Sequence, residues 1–308
     1  MKENLDITSI PLIGRFAPSP TGPLHFGTLL AALGSYLAAK QSGGQWLMRV
    51  EDLDLPRVVA GSADRILLLL DQLGFEWDGP ILYQSQRFER YREILDSLRS
   101  HGFLFDCSCS RKEILASAPH PGEEGPIYPG TCRNGPLGTR PQHAVRLRVN
   151  DQSVIFTDQV FGRQSQNLEK QVGDFVLHRS DGVFAYQLAV VVDDIDTGVS
   201  QVVRGADLLS STARQIYLYQ CLQSVVPEYL HLPLVFGDDG MKLSKRNGLN
   251  GMIDHNNGAR MIWQGLDFLG QMPPVDLYGG SSAELLRWGV ENFESHKIPT
   301  VSRYVQLI

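Results

Sequence analysis

The segment that most constrains this chain is Leu12–Ala17, a short apolar run, followed by Pro18-Ser19-Pro20-Thr21-Gly22-Pro23 and then Gly27–Lys40. That order predicts a strand, a rigid connection and a helix, because GTLLAALGSYLAAK has helical apolar spacing and small residues. Trp46–Val50 reads as a second strand ending in Glu51-Asp52-Leu53-Asp54, and Ser62–Leu73 and Phe88–Leu98 read as amphipathic helices. Strands alternating with helices imply a doubly wound α/β fold, a parallel sheet covered on both faces. The texture changes after about residue 103. Cys107–Arg133 is loop-rich, Ser110-x-x-Glu113 predicts a capped short helix, and His143–Val149 and Val154–Asp158 alternate as strands. This stretch reads as an insertion. The α/β pattern resumes near residue 173. Phe184–Val192, Gln201–Arg204 and His231–Phe236 are expected as strands, and Ser210–Gln223, Ala259–Leu269 and Ala283–Phe293 as helices. The implied divisions are 1–103, 104–172, 173–237 and 238–308.

The formal charge of −6 argues against a non-specific nucleic-acid binder, but not against an enzyme with a local basic face. Arg133, Arg140, Arg146 and Arg148 form one basic cluster, and Lys242, Lys245 and Arg246 another; solvated surface is the competing reading of both. No apolar run approaches the roughly 20 residues of a membrane helix. MKENLDITSI lacks the apolar core of a signal peptide, so no membrane role and a cytoplasmic location are the expectation.

Two segments carry nucleotide chemistry. In Pro18–Gly27 a helix starts just after the rigid loop, so its free N–H groups suit a phosphate. Gly27 allows close approach of a nucleotide, and His25 can donate to a phosphate oxygen. Alone, this could equally be a tight connection around a buried histidine. Lys242-Leu243-Ser244-Lys245-Arg246 follows a strand and the turn Gly237–Gly240. Its two lysines could close over a triphosphate and stabilise the charge of adenylyl transfer. The two motifs together, in this order and about 220 residues apart, are far more specific than either.

Arg15-Phe16-Ala17-Pro18-Ser19-Pro20-Thr21-Gly22-Pro23-Leu24-His25-Phe26-Gly27 resembles the HIGH motif of class I glutamyl-tRNA synthetases, and KLSKR resembles their KMSKS motif. Val191–Asp194 and Val203–Asp207 also resemble that family's core, and the likeness covers most of residues 12–246. Two departures stand out: Phe26 and Thr28 replace the usual Ile and second His, and Arg204-Gly205-Ala206-Asp207 replaces RGED. The resemblance implies a Rossmann-type doubly wound catalytic domain, an inserted acceptor-binding-like subdomain and a short helical C-terminal region. It implies catalytic roles for His25, Lys242 and Lys245, and ATP contacts from His25, Gly27, Thr28 and Lys245, with Mg2+ accompanying ATP. It implies a glutamate pocket in which Arg15 and Arg204 hold carboxylate oxygens, Glu51 takes the ammonium and Tyr186 hydrogen-bonds the substrate. Phe16, Ala17, Pro18 and Ser19 would line that pocket. Independently, Arg15, Glu51 and Arg204 fall near carboxyl ends of strands, where doubly wound sheets place active sites. The structural alternatives are an ion pair of Arg204 with Asp207 or Asp194, a capping role for Glu51, and core packing for Tyr186 on its apolar strand.

Four cysteines are present: Cys107, Cys109 and Cys132 fall within 26 residues, while Cys221 lies in a helical pattern and is expected simply to be buried. In a cytosolic protein such clustering favours metal over disulfide. Spacing alone leaves the fourth ligand open between Tyr128 and His120. The C-x-C…Y-x-x-x-C pattern resembles the zinc site of one subgroup, the glutamyl-queuosine tRNA(Asp) synthetases, which implies one structural Zn2+ on Cys107, Cys109, Tyr128 and Cys132.

Only 62 residues follow Arg246, too few for the usual anticodon-binding domain. A 308-residue globule has a radius of gyration of about 19 Å. It is too small to hold a tRNA acceptor end while touching the anticodon. The same subgroup resemblance implies tRNA-independent activation of L-glutamate with ATP. Transfer would be to queuosine in tRNA(Asp), entered through its anticodon loop. Two rivals are a truncated paralogue charging another acceptor and a non-catalytic nucleotide- or tRNA-binding regulator.

Overall fold

The computed structural model describes residues 11–117, 121–122, 125–137, 140–236, 252–301 and 303–304. The first strand, Ile13–Phe16, pairs in parallel with Gln45–Val50, in the register Arg15 to Leu47, and Gln45–Val50 pairs in parallel with Leu82–Tyr83. On its other side the first strand meets the start of Gln201–Gly205. There the Ser200 amide donates to the Ile13 carbonyl at 2.9 Å, and the Ile13 amide donates to Ser200 Oγ at 2.9 Å. Gln201–Gly205 in turn pairs in parallel with Glu228–Leu232. The expected parallel arrangement is present at its centre.

Period-two alternation places neighbouring side chains on opposite faces of this sheet, and each face has its own core. Phe16, Trp46, Met48, Val203 and Leu230 pack under the helices Phe26–Gln41, Ser62–Gln72, Gly258–Phe268 and Ser282–Asn292. Ile13, Leu47, Val202 and Tyr229 pack under Phe88–Ser100, Tyr186–Asp196 and Leu209–Cys221. Both C-terminal helices therefore cover the first helix, as Gly265 against Leu33 and Gly289 against Leu37 show.

The middle of the chain builds an antiparallel sheet from Leu104–Cys107, Ala144–Leu147 and Phe175–His178. A hairpin, Ser153–Asp158 with Gly162–Asn167, instead joins Glu228–Leu232 through a Tyr229–Asp158 pairing. The second strand of that hairpin had no distinct sequence signal. The Ser110–Glu113 capping box forms: Ser110 N–H donates to the Glu113 carboxylate at 2.7 Å, and Glu113 N–H to Ser110 Oγ at 3.3 Å.

One expected strand is a helix. Phe184–Val192 forms not a strand but the start of the helix Tyr186–Asp196. A continuous apolar run carries no period, so burial on all sides reads alike in either form. Here Leu188–Asp194 is enclosed between the sheet and two helices, which satisfies a helix better than a further strand. His231–Phe236 is likewise divided, into Glu228–Leu232 and Val235–Phe236, at Pro233, which has no N–H for a ladder.

Trp46 anchors the first core. It is fully buried, stacks near Phe16 at 6.1 Å, meets Tyr36 and Phe75 edge or tilted, and donates its indole N–H to Ser35 Oγ at 2.9 Å. Trp46→Ala should lower the unfolding free energy by about 3–5 kcal/mol, read from urea unfolding.

Candidate active site

The loop after the first strand is held from both sides. The Glu51 amide donates to the Pro18 carbonyl at 3.0 Å, and the Val59 amide to the Pro20 carbonyl at 2.9 Å. Ser62 Oγ donates to the Gly22 carbonyl and accepts from its amide at 3.2 Å. The end of the second strand and the start of the second helix thus fix the path of Pro18–Pro23. The first helix begins at Phe26 with His25 as its cap, one residue before the expected start. His25 Nδ1 accepts from the Thr28 amide at 3.3 Å, which leaves the proton on Nε2, 2.9 Å from Thr28 Oγ1.

A cavity of about 530 Å³ opens over these elements. Arg15, Phe16, Ala17, Pro18, Ser19, His25, Gly27, Thr28, Glu51, Tyr186 and Arg204 all line it. The structure thus brings together the whole described part of the site expected from sequence. Lys242, Lys245 and Arg246 lie outside the described residues, as does His120. Their flanks are described: Val235 lines the cavity, and Met252 bridges His25 as an antiparallel pair.

The charges at the floor of the cavity form one network. Arg15 Nε donates to Asp194 Oδ1 at 3.1 Å, and Arg49 Nη1 donates to the same oxygen. Arg49 Nη2 donates to Glu51 Oε1 at 3.3 Å. Asp194 therefore ties Arg15 to Arg49, and Arg49 carries the connection to Glu51. Glu51 is held by an ion pair, not used as a cap for the EDLD turn. Burial pushes the Glu51 carboxyl up, against the pull of Arg49 and Arg15. Burial also acts on Asp194, but Arg15 and Arg49 more than offset it and hold that carboxyl down. Asp193, beside it, goes up with burial despite Arg49, Gln84 and Tyr91.

Across the cavity, Arg204 donates from Nη1 to the Tyr186 hydroxyl at 3.2 Å and from Nη2 to Thr212 Oγ1 at 2.9 Å. Tyr186 is the first residue of its helix, not a strand residue, and its ring end reaches the cavity from there. Arg15 has only Nε engaged in described hydrogen bonds, so its two terminal nitrogens can present a fork. A guanidinium fork matches a carboxylate, and a second cation with a phenol opposite suits a second carboxylate. Glu51 between them suits an ammonium. Sequence reasoning missed Arg49 as a member of the site. It sits inside a strand of apolar neighbours, and nothing local marks it apart from a charge in a buried pattern.

A second cavity, about 1180 Å³, adjoins the first along Gly205–Ser210. Arg111, Arg146, Lys170, Arg179 and Arg214 line it, against Asp174 and Asp181. It is the more positive of the two.

Cys107, Cys109 and Cys132 converge, with all three Sγ atoms within 4.8 Å of one another. The Tyr128 hydroxyl lies 3.4 Å from Cys107 Sγ and 4.0 Å from Cys109 Sγ, and accepts the Cys132 amide at 2.8 Å. This cluster could hold a metal ion. Tyr128 is placed by Gly173, whose φ of +75° and close approach exclude a side chain: an added Cβ would lie 2.5 Å from the Tyr128 carbonyl oxygen. Arg146 lies over the Tyr128 ring at 3.9 Å. Cys221 lies in its helix half-buried, not buried as expected, and the burial it has pushes its thiol up to about 11.

The family described as tRNA synthetases class I (E and Q), catalytic domain, matches residues 12–259. A glutamyl-Q tRNA(Asp) synthetase from Dechloromonas aromatica is 52% identical over 293 residues, covering 95% of this chain and 97% of that protein. One of the same name from Geobacter sulfurreducens is 53% identical over 299 residues, covering 95% of each. The chain belongs to the glutamyl-Q tRNA(Asp) synthetase family of class I synthetases. It is a ligase of that class. A solved glutamate tRNA ligase from Elizabethkingia meningosepticum shares the fold, with a TM-score of 0.79 at 24% identity, and this chain covers 67% of its length. No helix among the described residues is long and apolar enough to cross a membrane.

Asp194→Ala would leave Arg15 and Arg49 buried without their shared carboxylate, and should cost about 3–5 kcal/mol of stability. Because the native carboxyl lies below its ordinary 3.8, its contribution is present above that pH and is lost as pH falls through the native value. Urea unfolding from pH 7 to pH 3 should show a shallower acid loss in Asp194→Asn than in the parent.

Proposed function

We propose that this enzyme activates L-glutamate with ATP as glutamyl-adenylate, without tRNA, and transfers the glutamate to queuosine at the wobble position of tRNA(Asp). The observation that carries the first half is the convergence of Arg15, Glu51, Tyr186 and Arg204 with His25, Gly27 and Thr28 on one cavity. The relatives' shared name supports the acceptor.

In this reading Arg15 and Arg204 hold the substrate carboxylates, with Tyr186 donating its phenolic proton alongside Arg204. Glu51, as carboxylate, accepts from the α-ammonium, which supplies the charge that favours its ionised form. Phe16, Ala17, Pro18 and Ser19 form the wall of the pocket. His25, Gly27 and Thr28 stand at the opening of the first helix, where N–H groups favour phosphate. The α-carboxylate attacks the α-phosphate in line, its new O–P bond forming as the bond to pyrophosphate breaks; no general base is needed because it is already ionised, and AMP leaves when the glutamate is passed on. Lys242 and Lys245 then stabilise charge on the phosphates, aided by Mg2+ brought with ATP. Val235, before the two lysines in sequence, lines the cavity, and Met252, after them, bridges His25, which supports this.

The acceptor is a polyanion, and the larger basic cavity next to Gly205–Ser210 suits it. The parts at 1–103 and 173–237 act as the catalytic halves, 104–172 as the zinc-bearing insertion and 238–308 as the closing region. The setting is the cytoplasm, where tRNA is.

Zinc fits the cysteine cluster. A tetrahedral zinc with thiolates and one oxygen ligand needs S···S separations of roughly 3.8 Å and S···O of about 3.5 Å. Cys109 Sγ lies 3.5 Å from Cys132 Sγ, and Cys107 Sγ 3.4 Å from the Tyr128 hydroxyl. Burial pushes the Cys109 thiol up to about 12, whereas at Cys132 the Leu137 backbone and the Tyr128 hydroxyl more than offset burial and leave that thiol at about 6, so Cys132 is the readier thiolate of the two. Four ligands and no open position make the ion structural. Elemental analysis should find one zinc per chain, and Cys132→Ser should lose it and unfold at lower temperature.

Glutamate should support ATP–pyrophosphate exchange in the absence of tRNA, and Lys245→Ala should slow it at least tenfold, about 1.4 kcal/mol of barrier. Labelled glutamate should appear on tRNA(Asp) that contains queuosine and not on the same tRNA without it. Strict tRNA dependence of exchange, or equal labelling of both tRNAs, would overturn the assignment.

A further inference from the structure

We infer that His231 is a positioning residue for Arg204: it accepts the Arg204 Nε–H on its own Nε2, while Asp158 holds the ring by its other nitrogen. The inference rests on the reading of Arg204 as a ligand of the substrate carboxylate.

His231 lies in the strand Glu228–Leu232, directly beside Arg204 in the parallel register, and is fully buried. Its Nδ1 is 2.6 Å from Asp158 Oδ2, and its own amide donates to the same oxygen at 3.1 Å. Asp158 Oδ1 also accepts from the Val160 and Phe161 amides at 3.0 and 2.8 Å. So many donors keep Asp158 ionised: burial would raise its carboxyl, but the His231 and backbone hydrogen bonds hold it down. An ionised Asp158 at Nδ1 requires the ring proton there. A neutral ring protonated on Nδ1 leaves Nε2 as an acceptor. Arg204 Nε, 3.1 Å away, donates to it.

The consequence for Arg204 follows by counting donors. Nε goes to His231, and Nη2 goes to Thr212 Oγ1 and to the Leu208 carbonyl at 3.3 Å. Nη1 gives one proton to Tyr186. One Nη1–H remains among the described hydrogen bonds, together with the Tyr186 hydroxyl proton. The guanidinium cannot turn about its axis without breaking the His231 contact, so this remaining pair is aimed at one place in the cavity. Asp158 comes from the hairpin of the middle region, so the relay also connects that region to the substrate pocket.

Protonation of His231 would place a second donor against Arg204 Nε and a second positive charge beside it. The groups that face the ring oppose or favour this in known directions. Asp158 favours the cation; Arg204 and Arg15 disfavour it; the Tyr229 ring stacks at 6.1 Å. Burial is the largest influence, and the net direction is down from 6.5, so the neutral ring persists at physiological pH.

The test is glutamate-dependent ATP–pyrophosphate exchange, with KM for glutamate and for ATP measured separately from pH 5 to pH 8. His231→Leu removes the acceptor and should raise the glutamate KM at least tenfold while the ATP KM moves less than twofold. His231→Gln, whose amide oxygen can take the Nε2 position, should recover most of the loss. Any climb of the parent's glutamate KM that comes from the ring should begin only below its ordinary 6.5, as the pH falls through the lowered value, and should be missing in His231→Gln. Glu51 is present in both proteins, so its own titration cancels in the comparison. An unchanged glutamate KM in folded His231→Leu, or an equal rise in both KM values, overturns the positioning role. If His231→Leu does not fold, the same KM reading is taken on His231→Asn, whose shorter amide can keep the Asp158 contact but cannot reach Arg204 Nε, and an unchanged glutamate KM there overturns it. Failure of glutamate to support exchange in the parent would instead remove the activation reading on which it rests.

Discussion

The carboxylate of Asp194 lies between two guanidiniums, Arg15 and Arg49, where the first strand, the second strand and the helix Tyr186–Asp196 meet. All three residues are almost wholly buried. Burial makes each charge costly alone, and the cost is recovered only when the partners are placed well. That condition holds three elements in one arrangement. It also fixes Arg15 and, through Arg49, Glu51, two of the charged groups that line a pocket suited to an amino acid. The packing of the sheet and the geometry of the site are thus set by the same contacts.

Around this centre the remaining charges divide by environment. Asp194 and Asp193 are neighbours in sequence and both buried, yet one carboxyl goes down and the other up. Asp194 has two guanidiniums in direct contact. Asp193 relies on Gln84, Tyr91 and Arg87, with Arg49 at 4.0 Å. On the far side, Arg204 is held by Tyr186, Thr212 and His231, and among the described residues no carboxylate contacts it. That suits a group whose role is to receive an anion. Arg15 keeps its terminal nitrogens for the same purpose by giving Asp194 only Nε.

Much of the site could be read directly from residue types and their order. Prolines and glycine in Pro18–Pro23, a helix immediately after, and Arg15, Glu51 and Arg204 at strand ends are local signals, and the structure gathers them on one cavity. Arg49, Asp158 and His231 were not legible. Their partners are 145, 73 and 27 positions away in sequence, and long-range pairing leaves no period or motif behind. Phe184–Val192 misled for a related reason: an apolar run buried on every side has the same composition in a helix as in a strand.

Local chemistry in the sequence determined where backbone N–H groups could meet a phosphate, which cysteines could share a metal, and the alternation that demands a sheet with helices on both faces. These are signalled by residue types in short stretches of the chain, even where, as for Cys132, packing must complete the geometry. The tertiary structure decided which charges share a buried carboxylate, which way Arg204 points, and that Tyr186 reaches the pocket from a helix. Those follow from the packing of distant elements, where the cost of an unpaired buried charge selects one arrangement among many that the sequence would permit.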